Sequence, residues 1–329
     1  MKSMTRLLTI LSLLCFTTVH AAEEEGFSIG AFGDSGSDTK TATLTRVSGK
    51  VQIFTSPSKA PPANRSLKAG TMAQFGSDYY SVENAKAGDK LEAGNILRTL
   101  ADGQATLIYP NGDQLYISQS TSFKVALNSS ETELDMIYGR LRGVISKEGP
   151  REKLKIKTST ATMGVRGTDF YVADSGSRAE FTVLRGRVDV STSGAPPAEV
   201  KMGMSAIASA AKQGSSNGSV AVRQSTKDDL NGVKKFEVQG SSDPKFAELE
   251  KKAASVAMKD VAAYQPEYYK QIPDKMKAMI DAPKLTSLMT EMAINKAPAA
   301  QAGAQSLTGS MEPMQNQVAD QKFKIGQAQ

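Results

Sequence analysis

From Thr41 to about Ala208 the chain is a succession of short β-prone runs separated by turn dipeptides, and this texture constrains the fold more than any other feature. The clearest runs are ATLTRVSGKVQIF, QATLIYP, DQLYIS, SFKVAL, EKLKIK, TDFYVAD, AEFTVLRGRVDV and EVKMGMSAIAS. Asp102-Gly103 and Asn111-Gly112 fall between such runs, and these dipeptides favour the positive-φ conformations of hairpin turns. Few stretches here keep a 3.6-residue period long enough for a substantial helix. GKVQI at 49–53, GRLRG at 139–143 and GRVDV at 186–190 share a glycine, a basic residue, then Val or Leu. A glycine entering a strand whose alternate residues point inward suits the corner of a coiled or rolled sheet. Residues 41–208 are therefore expected to form an all-β domain: a β-sandwich, a roll or a short β-solenoid-like fold. The repeats are too irregular for a long regular solenoid.

The flanks differ in composition. Residues 1–21 combine Lys2 and Arg6, an apolar core from Leu7 to Phe16 and the small-x-small ending Val19-His20-Ala21, which is the form of a cleavable signal peptide. That core is too short to cross a bilayer, which takes about 20 residues, and no later segment is long and apolar enough. The chain is expected to be exported, to the periplasm or beyond the cell, without a transmembrane anchor. Residues 22–40, acidic and rich in Gly and Ser, read as a flexible leader. Residues 209–242 open on the polar SAAKQGSSNGSV and read as a linker.

An α-helical extension is expected over 243–295. Asp243-Pro244 suits an N-cap and first turn, and Phe246, Leu249, Ala253 and Val256 follow in steps of three and four. Met276, Met279 and Ile280 mark another helix, interrupted by Pro283; Leu285, Leu288, Met289 and Met292 mark a last one. The methionines suit either an adaptable binding surface or packing within the helices and on the β domain, and packing is the preferred reading. Residues 296–329, biased to Ala, Gln, Gly and Ser, are expected to be a disordered tail.

Removal of the signal peptide takes with it the chain's one cysteine, Cys15, and its one histidine, His20. Disulfides, Cys/His zinc sites and nucleophile systems with a histidine base are then excluded. Carboxylate pairs, Lys, Tyr and Ser-Lys remain, and none has diagnostic spacing. Asp34 and Asp38 match no calcium loop. The chain is thus expected to be non-enzymatic, with no cofactor and no metal. Its formal charge of +6 is a mild surplus, part of it in Lys2 and Arg6, and no Lys/Arg block with interleaved aromatics points to nucleic acid.

TATMGVRGTDFYV at 160–172 concentrates residues with special conformational and chemical roles. A phosphate loop needs a lysine after its last glycine and a helix beyond it. Here no lysine follows Gly167, and a strand comes next, so the dinucleotide fingerprint fails as well. The pattern strand, glycine-rich break, strand favours a structural turn. Gly164 and Gly167 can take backbone angles closed to other residues, while Thr168 and Asp169 can bond nearby amides. Arg166 either clamps carbonyls or Asp169, or stands outward to meet a partner. The clamp is preferred, because a buried arginine needs partners and the turn supplies them.

These residues strongly resemble the signature of the FecR domain, in which a Thr-rich run leads into a Val-Arg-Gly-Thr-x-Phe core. The resemblance extends over roughly 41–208, through AGDKLEAGNILRTLADGQATLIYPNGDQLYI, YGRLRGVI and VLRGRVDV. It marks Gly164, Val165, Arg166, Gly167, Thr168, Asp169 and Phe170 as the family motif. It implies an exported all-β domain without catalytic residues. The family's best-known members are inner-membrane regulators that pass an outer-membrane transporter signal to a cytoplasmic sigma factor. Neither the anti-sigma segment nor the membrane-spanning helix of that architecture is expected here. A stand-alone envelope module for protein interaction or signalling is the better expectation.

Lys153, Lys155 and Lys157 alternate with Leu154 and Ile156, so their ammonium groups share one strand face. The stripe is either a solvated or protected strand face, the preferred reading, or a docking site for an anionic wall polymer, another envelope polyanion or an acidic protein. The expected partner is accordingly another envelope protein, with binding of a wall polysaccharide or similar polyanion as the alternative.

Overall fold

The computed structural model describes residues 41–60, 71–126, 132–147, 154–210, 218–234, 243–280, 282–299 and 323–325. The expected signal peptide, the leader and Lys153 lie outside these residues. Strands β1 (Ala42–Ser48), β2 (Val51–Ser58), β3 (Met72–Phe75), β4 (Asp78–Asn84), β5 (Lys90–Leu91), β6 (Ile96–Thr99), β7 (Gln104–Ile108), β8 (Gln114–Ile117) and β9 (Thr121–Val125) precede the long β10 (Thr132–Val144). They are followed by β11 (Leu154–Lys157), β12 (Thr162–Val165), β13 (Asp169–Asp174), β14 (Arg178–Arg185), β15 (Arg187–Ser191), β16 (Ala198–Lys201), β17 (Met204–Ser209) and β18 (Ser219–Gln224). Helices α1 (Lys227–Lys234), α2 (Pro244–Tyr264), α3 (Pro266–Tyr269), α4 (Asp274–Met279) and α5 (Ala282–Lys296) come next, and β19 (Phe323–Ile325) is last.

The strands form two layers that share β10. One layer runs β1–β7–β8–β10–β13–β14–β17–β18, entirely antiparallel. The other runs β19–β3–β4–β2–β6–β9–β10–β11–β12–β15–β16, antiparallel except for the β10–β11 pair. Alternate residues of both layers meet in one core. Leu44, Leu107, Leu141, Phe170, Val172 and Phe181 come from the first layer, and Ile53, Leu97, Phe123, Leu134, Ile156 and Val188 from the second. Of the three all-β architectures, the chain adopts the sandwich.

The exchange of β10 between layers happens at Gly139. Residues 134–138 pair with β9, residues 139–144 with β13, and a glycine at φ 111° stands between them. A Cβ at this position would lie 2.4 Å from the Cα of Thr121. The Thr121 hydroxyl bridges the corner, accepting from the Arg140 N–H at 3.0 Å and donating to the Arg140 carbonyl at 3.1 Å. The glycine that opens GRLRG is thus a sheet-switching corner.

The outer faces of the two layers differ. Tyr116, Val144, Tyr171 and Leu184 on the first are covered by Leu230 of α1, Ala257, Met258 and Val261 of α2, and Leu285 and Met289 of α5. We call this layer the covered sheet. Among the described residues no helix residue joins the cluster of Phe54, Tyr80, Val82, Ile96, Ile137 and Tyr138 on the second layer, the open sheet.

Three expectations are corrected. The 209–242 linker contributes β18, whose Val220 and Val222 pack on the sandwich core, and α1. Two alternating valines in a polar context are enough to extend an existing sheet edge. The 296–329 tail contributes β19, anchored by the buried Phe323. Helix α2 is capped as expected, with the Asp243 carboxylate accepting from the Lys245 N–H at 2.9 Å, but its buried face is rotated away from the predicted stripe. Phe246, Leu249 and Val256 are half-buried, whereas Glu250, Ala253, Ala254, Ala257, Asp260 and Val261 are buried. A count of apolar residues misses a face built on alanines and two buried carboxylates.

Gly139→Ala combines a steric clash with a disfavoured left-handed φ, and is expected to cost about 3 kcal/mol or more in denaturant unfolding. Gly164→Ala, with nothing within 4 Å of the added Cβ, is expected to change stability by less than about 0.5 kcal/mol.

Candidate functional site

The motif at 160–172 joins β12 to β13 and faces two ways. Val165 points into the sandwich core, Gly167 turns the chain at φ 65°, and Phe170 returns to the core. A Cβ on Gly167 would sit 2.7 Å from the Cβ of Lys147, and one on Gly186 2.7 Å from the carbonyl oxygen of Gly167. The two glycine turns therefore pack directly against each other. Thr168 locks them by donating its hydroxyl hydrogen to the carbonyls of Arg187 at 3.0 Å and Arg166 at 3.1 Å. The Phe170 ring lies over Gly143, where a Cβ would meet it at 2.4 Å.

The clamp expected of Arg166 belongs to another arginine. Arg166 is exposed, and the Asp169 carboxylate is held by Arg142, which donates from Nε at 2.9 Å and Nη2 at 2.8 Å. Arg142 also donates from Nη1 to the Thr290 hydroxyl at 2.7 Å and from Nη2 to the Thr286 carbonyl at 3.3 Å, both on α5. A second buried guanidinium, Arg185, donates to the carbonyls of Ile145 at 3.1 Å and Ala257 at 3.3 Å, and lies 3.6 Å from Asp260. A third cluster, Arg223 with Asp229 and Glu180, fastens the start of α1 to β14 and β18. The sequence reading missed Arg142 and Arg185. Their signal was a basic residue at strand positions whose outer face must be buried, visible only once the helices were known to cover that face.

Asp113 sits at the same layer boundary. Its carboxylate accepts from the Ser146 N–H at 2.7 Å and from the Asn111 amide at 2.8 Å. Burial nevertheless raises its pKa to about 6, with Asp260 adding to the rise and Arg185 opposing it. The folded state thus binds this proton more tightly than the unfolded chain, whose aspartates titrate near about 3.9. The cost of the buried charge is present in full above pH 6 and disappears as pH falls through 6 toward 4.

The predicted lysine stripe is only partly on view. Lys155 and Lys157 stand on the outer face of the open sheet, half-buried and exposed respectively. Register places Lys155 opposite Glu133 and Lys157 opposite Asp135 on β10. Burial holds the Asp135 carboxyl above the usual range, while Lys157 and Lys124 pull it down and Glu133 pushes it up. The face therefore alternates in sign and is not a continuous cationic stripe.

Beside these residues the open sheet curls, so that the β3–β4 hairpin approaches β9 and β10. The Asp78 carboxylate lies 3.8 Å from the Lys124 ammonium, and the same ammonium stands 5.7 Å from the Tyr80 ring centre. The concave side holds a groove of about 610 Å³, with Phe75, Met136 and Ile137 as apolar lining and Lys124, Asp135 and Lys157 as charged lining. Groove dimensions in this range suit a few side chains of a partner or a small ligand. Among the described residues no cluster of three or more His, Cys, Asp or Glu could hold a metal ion, and no helix is long and apolar enough to cross a membrane.

Arg142→Ala leaves the Asp169 carboxylate buried without its cation and is expected to cost about 3–5 kcal/mol, whereas Arg166→Ala should leave the melting temperature unchanged. The difference in stability between the wild-type chain and Asp113→Asn should shrink as pH is lowered from 7.5 to 5, measured by denaturant unfolding across that range.

The chain was compared with known proteins. The family model described as FecR protein matches residues 95–189, which run from the start of β6 to β15. Two solved structures of a candidate anti-sigma factor from Parabacteroides distasonis are similar at 15% identity. They cover 42% and 41% of this chain, with TM-scores of 0.35 and 0.34. The chain spans 63% and 61% of those structures, less than two thirds of their length. No curated protein matches it. The residues that build the glycine turns, the Arg142–Asp169 pair and the switch at Gly139 all lie within residues 95–189, the segment that matches the FecR model.

Proposed function

We propose that this chain is a non-enzymatic protein of the cell envelope whose FecR domain serves as an interaction and signalling module, and that the open sheet is its partner-binding face. The observation that carries this reading is the asymmetry of the sandwich. One outer face is sealed by helices through buried arginines, whereas the other presents a groove of about 610 Å³ and a rim of charges. A face with apolar lining and charges of both signs suits a protein surface better than a uniform polyanion. Lys155 and Lys157, each opposite a carboxylate, give little net attraction for a wall polymer. Arg166, exposed at the end of β12, is available to the same partner. Export to the periplasm or beyond follows from the expected signal peptide and the family resemblance.

Site-specific photocrosslinkers test the assignment in intact cells. Probes at Lys157 and Thr162 on the open sheet are expected to give discrete protein adducts, while probes at Lys252 and Lys259 on α2 give none. Adducts from the helical positions alone would move the partner surface to the other face. Salt-sensitive retention on purified wall material, abolished by Lys155→Glu with Lys157→Glu, would favour the polyanion instead.

A further inference from the structure

The edge of the open sheet carries a second feature. Strand β3 pairs with β4 on one side and, among the described residues, with the three of β19 on the other, in the register Phe323 opposite Phe75 and Ile325 opposite Ala73. Phe323 is 5% exposed, stacks on Phe75 at 5.0 Å between ring centres and lies 5.3 Å from Phe54. The Arg98 guanidinium stands 5.0 Å from the centre of the same ring. Two aromatic rings and a cation thus form a box around Phe323, and Phe75 is also lining of the adjacent groove.

We propose that the β3 edge with this box is a strand-acceptor site, occupied in the resting chain by its own C-terminal segment and taken over by an extended partner segment bearing one aromatic anchor. Backbone pairing along an open edge supplies affinity without sequence, and a pocket for alternate side chains supplies selectivity. The described part of the resident strand, Phe323–Ile325, is short against the usual strand of about five or six, and none of these three residues lines the groove beside it. Being tethered, it competes at an effective concentration in the millimolar range. Only a partner that also uses the groove would displace it, which would make release of β19 a condition of binding. The proposal rests on the open sheet being the interaction face, and it names the partner's chemistry: an extended, antiparallel-pairing polypeptide with a Phe-like anchor.

The test uses the full chain and a fluorescent peptide with the sequence of residues 318–329. By anisotropy, the peptide is expected to bind Phe323→Ala protein saturably and to bind wild-type protein at least about tenfold more weakly, because the site is filled. A peptide carrying Phe323→Ala should lose about tenfold or more on the emptied protein. Lys324→Pro provides a second emptied acceptor that breaks pairing through the backbone and keeps the ring. No saturable binding to either folded variant would overturn the proposal, and so would loss of the fold in both, since β19 would then be a fixed structural strand. Peptide binding with no crosslinks from the open sheet in cells would leave the acceptor site standing and remove the partner assignment.

Discussion

A guanidinium that is only 2% exposed must find its partners inside the protein, and Arg142 finds them on two elements remote in sequence. It stands on β10, grips Asp169 at the head of β13 with two parallel hydrogen bonds, and reaches the hydroxyl and carbonyl of two threonines on α5. A buried ion pair gains little net stability against the desolvation of both charges, but breaking it exposes the full penalty of the orphaned partner. Its consequence is therefore specificity: one placement of the helices satisfies both charges. Arg185 repeats the device with carbonyls of α2 and the approach of Asp260, so two guanidinium groups fix the helical layer to one face of the sandwich.

That placement decides what the other face can do. The helices and the covered sheet share an apolar seam of Tyr116, Tyr171, Leu230, Val261, Leu285 and Met289. Among the described residues no helix side chain joins the outer cluster of the open sheet, and the approach of its β3–β4 hairpin to β9 and β10 frames the groove beside Phe75 and Ile137. The family motif contributes from within. Its threonine and glycines pack two turns together, its aspartate receives Arg142, and its aromatic ring fills the space over Gly143. Arg166 is the motif residue left to face outward.

Much of this was legible in the residues. Alternating apolar positions in GKVQI and GRVDV announced strands with one buried face, TDFYV read as a further strand, and the glycines of GRLRG and MGVRGT announced corners and turns. The function of Arg166 was misread because local sequence cannot show that a second arginine, 27 residues before Asp169, holds that carboxylate. The lysine stripe was visible in the sequence, and its preferred reading as a solvated strand face fits the register. Its carboxylate partners Glu133 and Asp135 were not visible, because they lie on another strand. Strand β19 was missed because a lone phenylalanine in a polar tail carries no periodicity. The buried face of α2 was misplaced because Glu250 and Asp260 count as polar until their surroundings are known.

Hydrogen exchange in the full chain tests most directly whether the Arg142–Asp169 pair joins the helices to one face and leaves the other independent. Comparing wild type with Arg142→Ala, amides of α2, α5 and the head of β13 should lose protection together, while those of β3, β4 and β9 on the open sheet keep theirs. Loss spread evenly over both sheets, or unaltered protection in α5, would contradict the account.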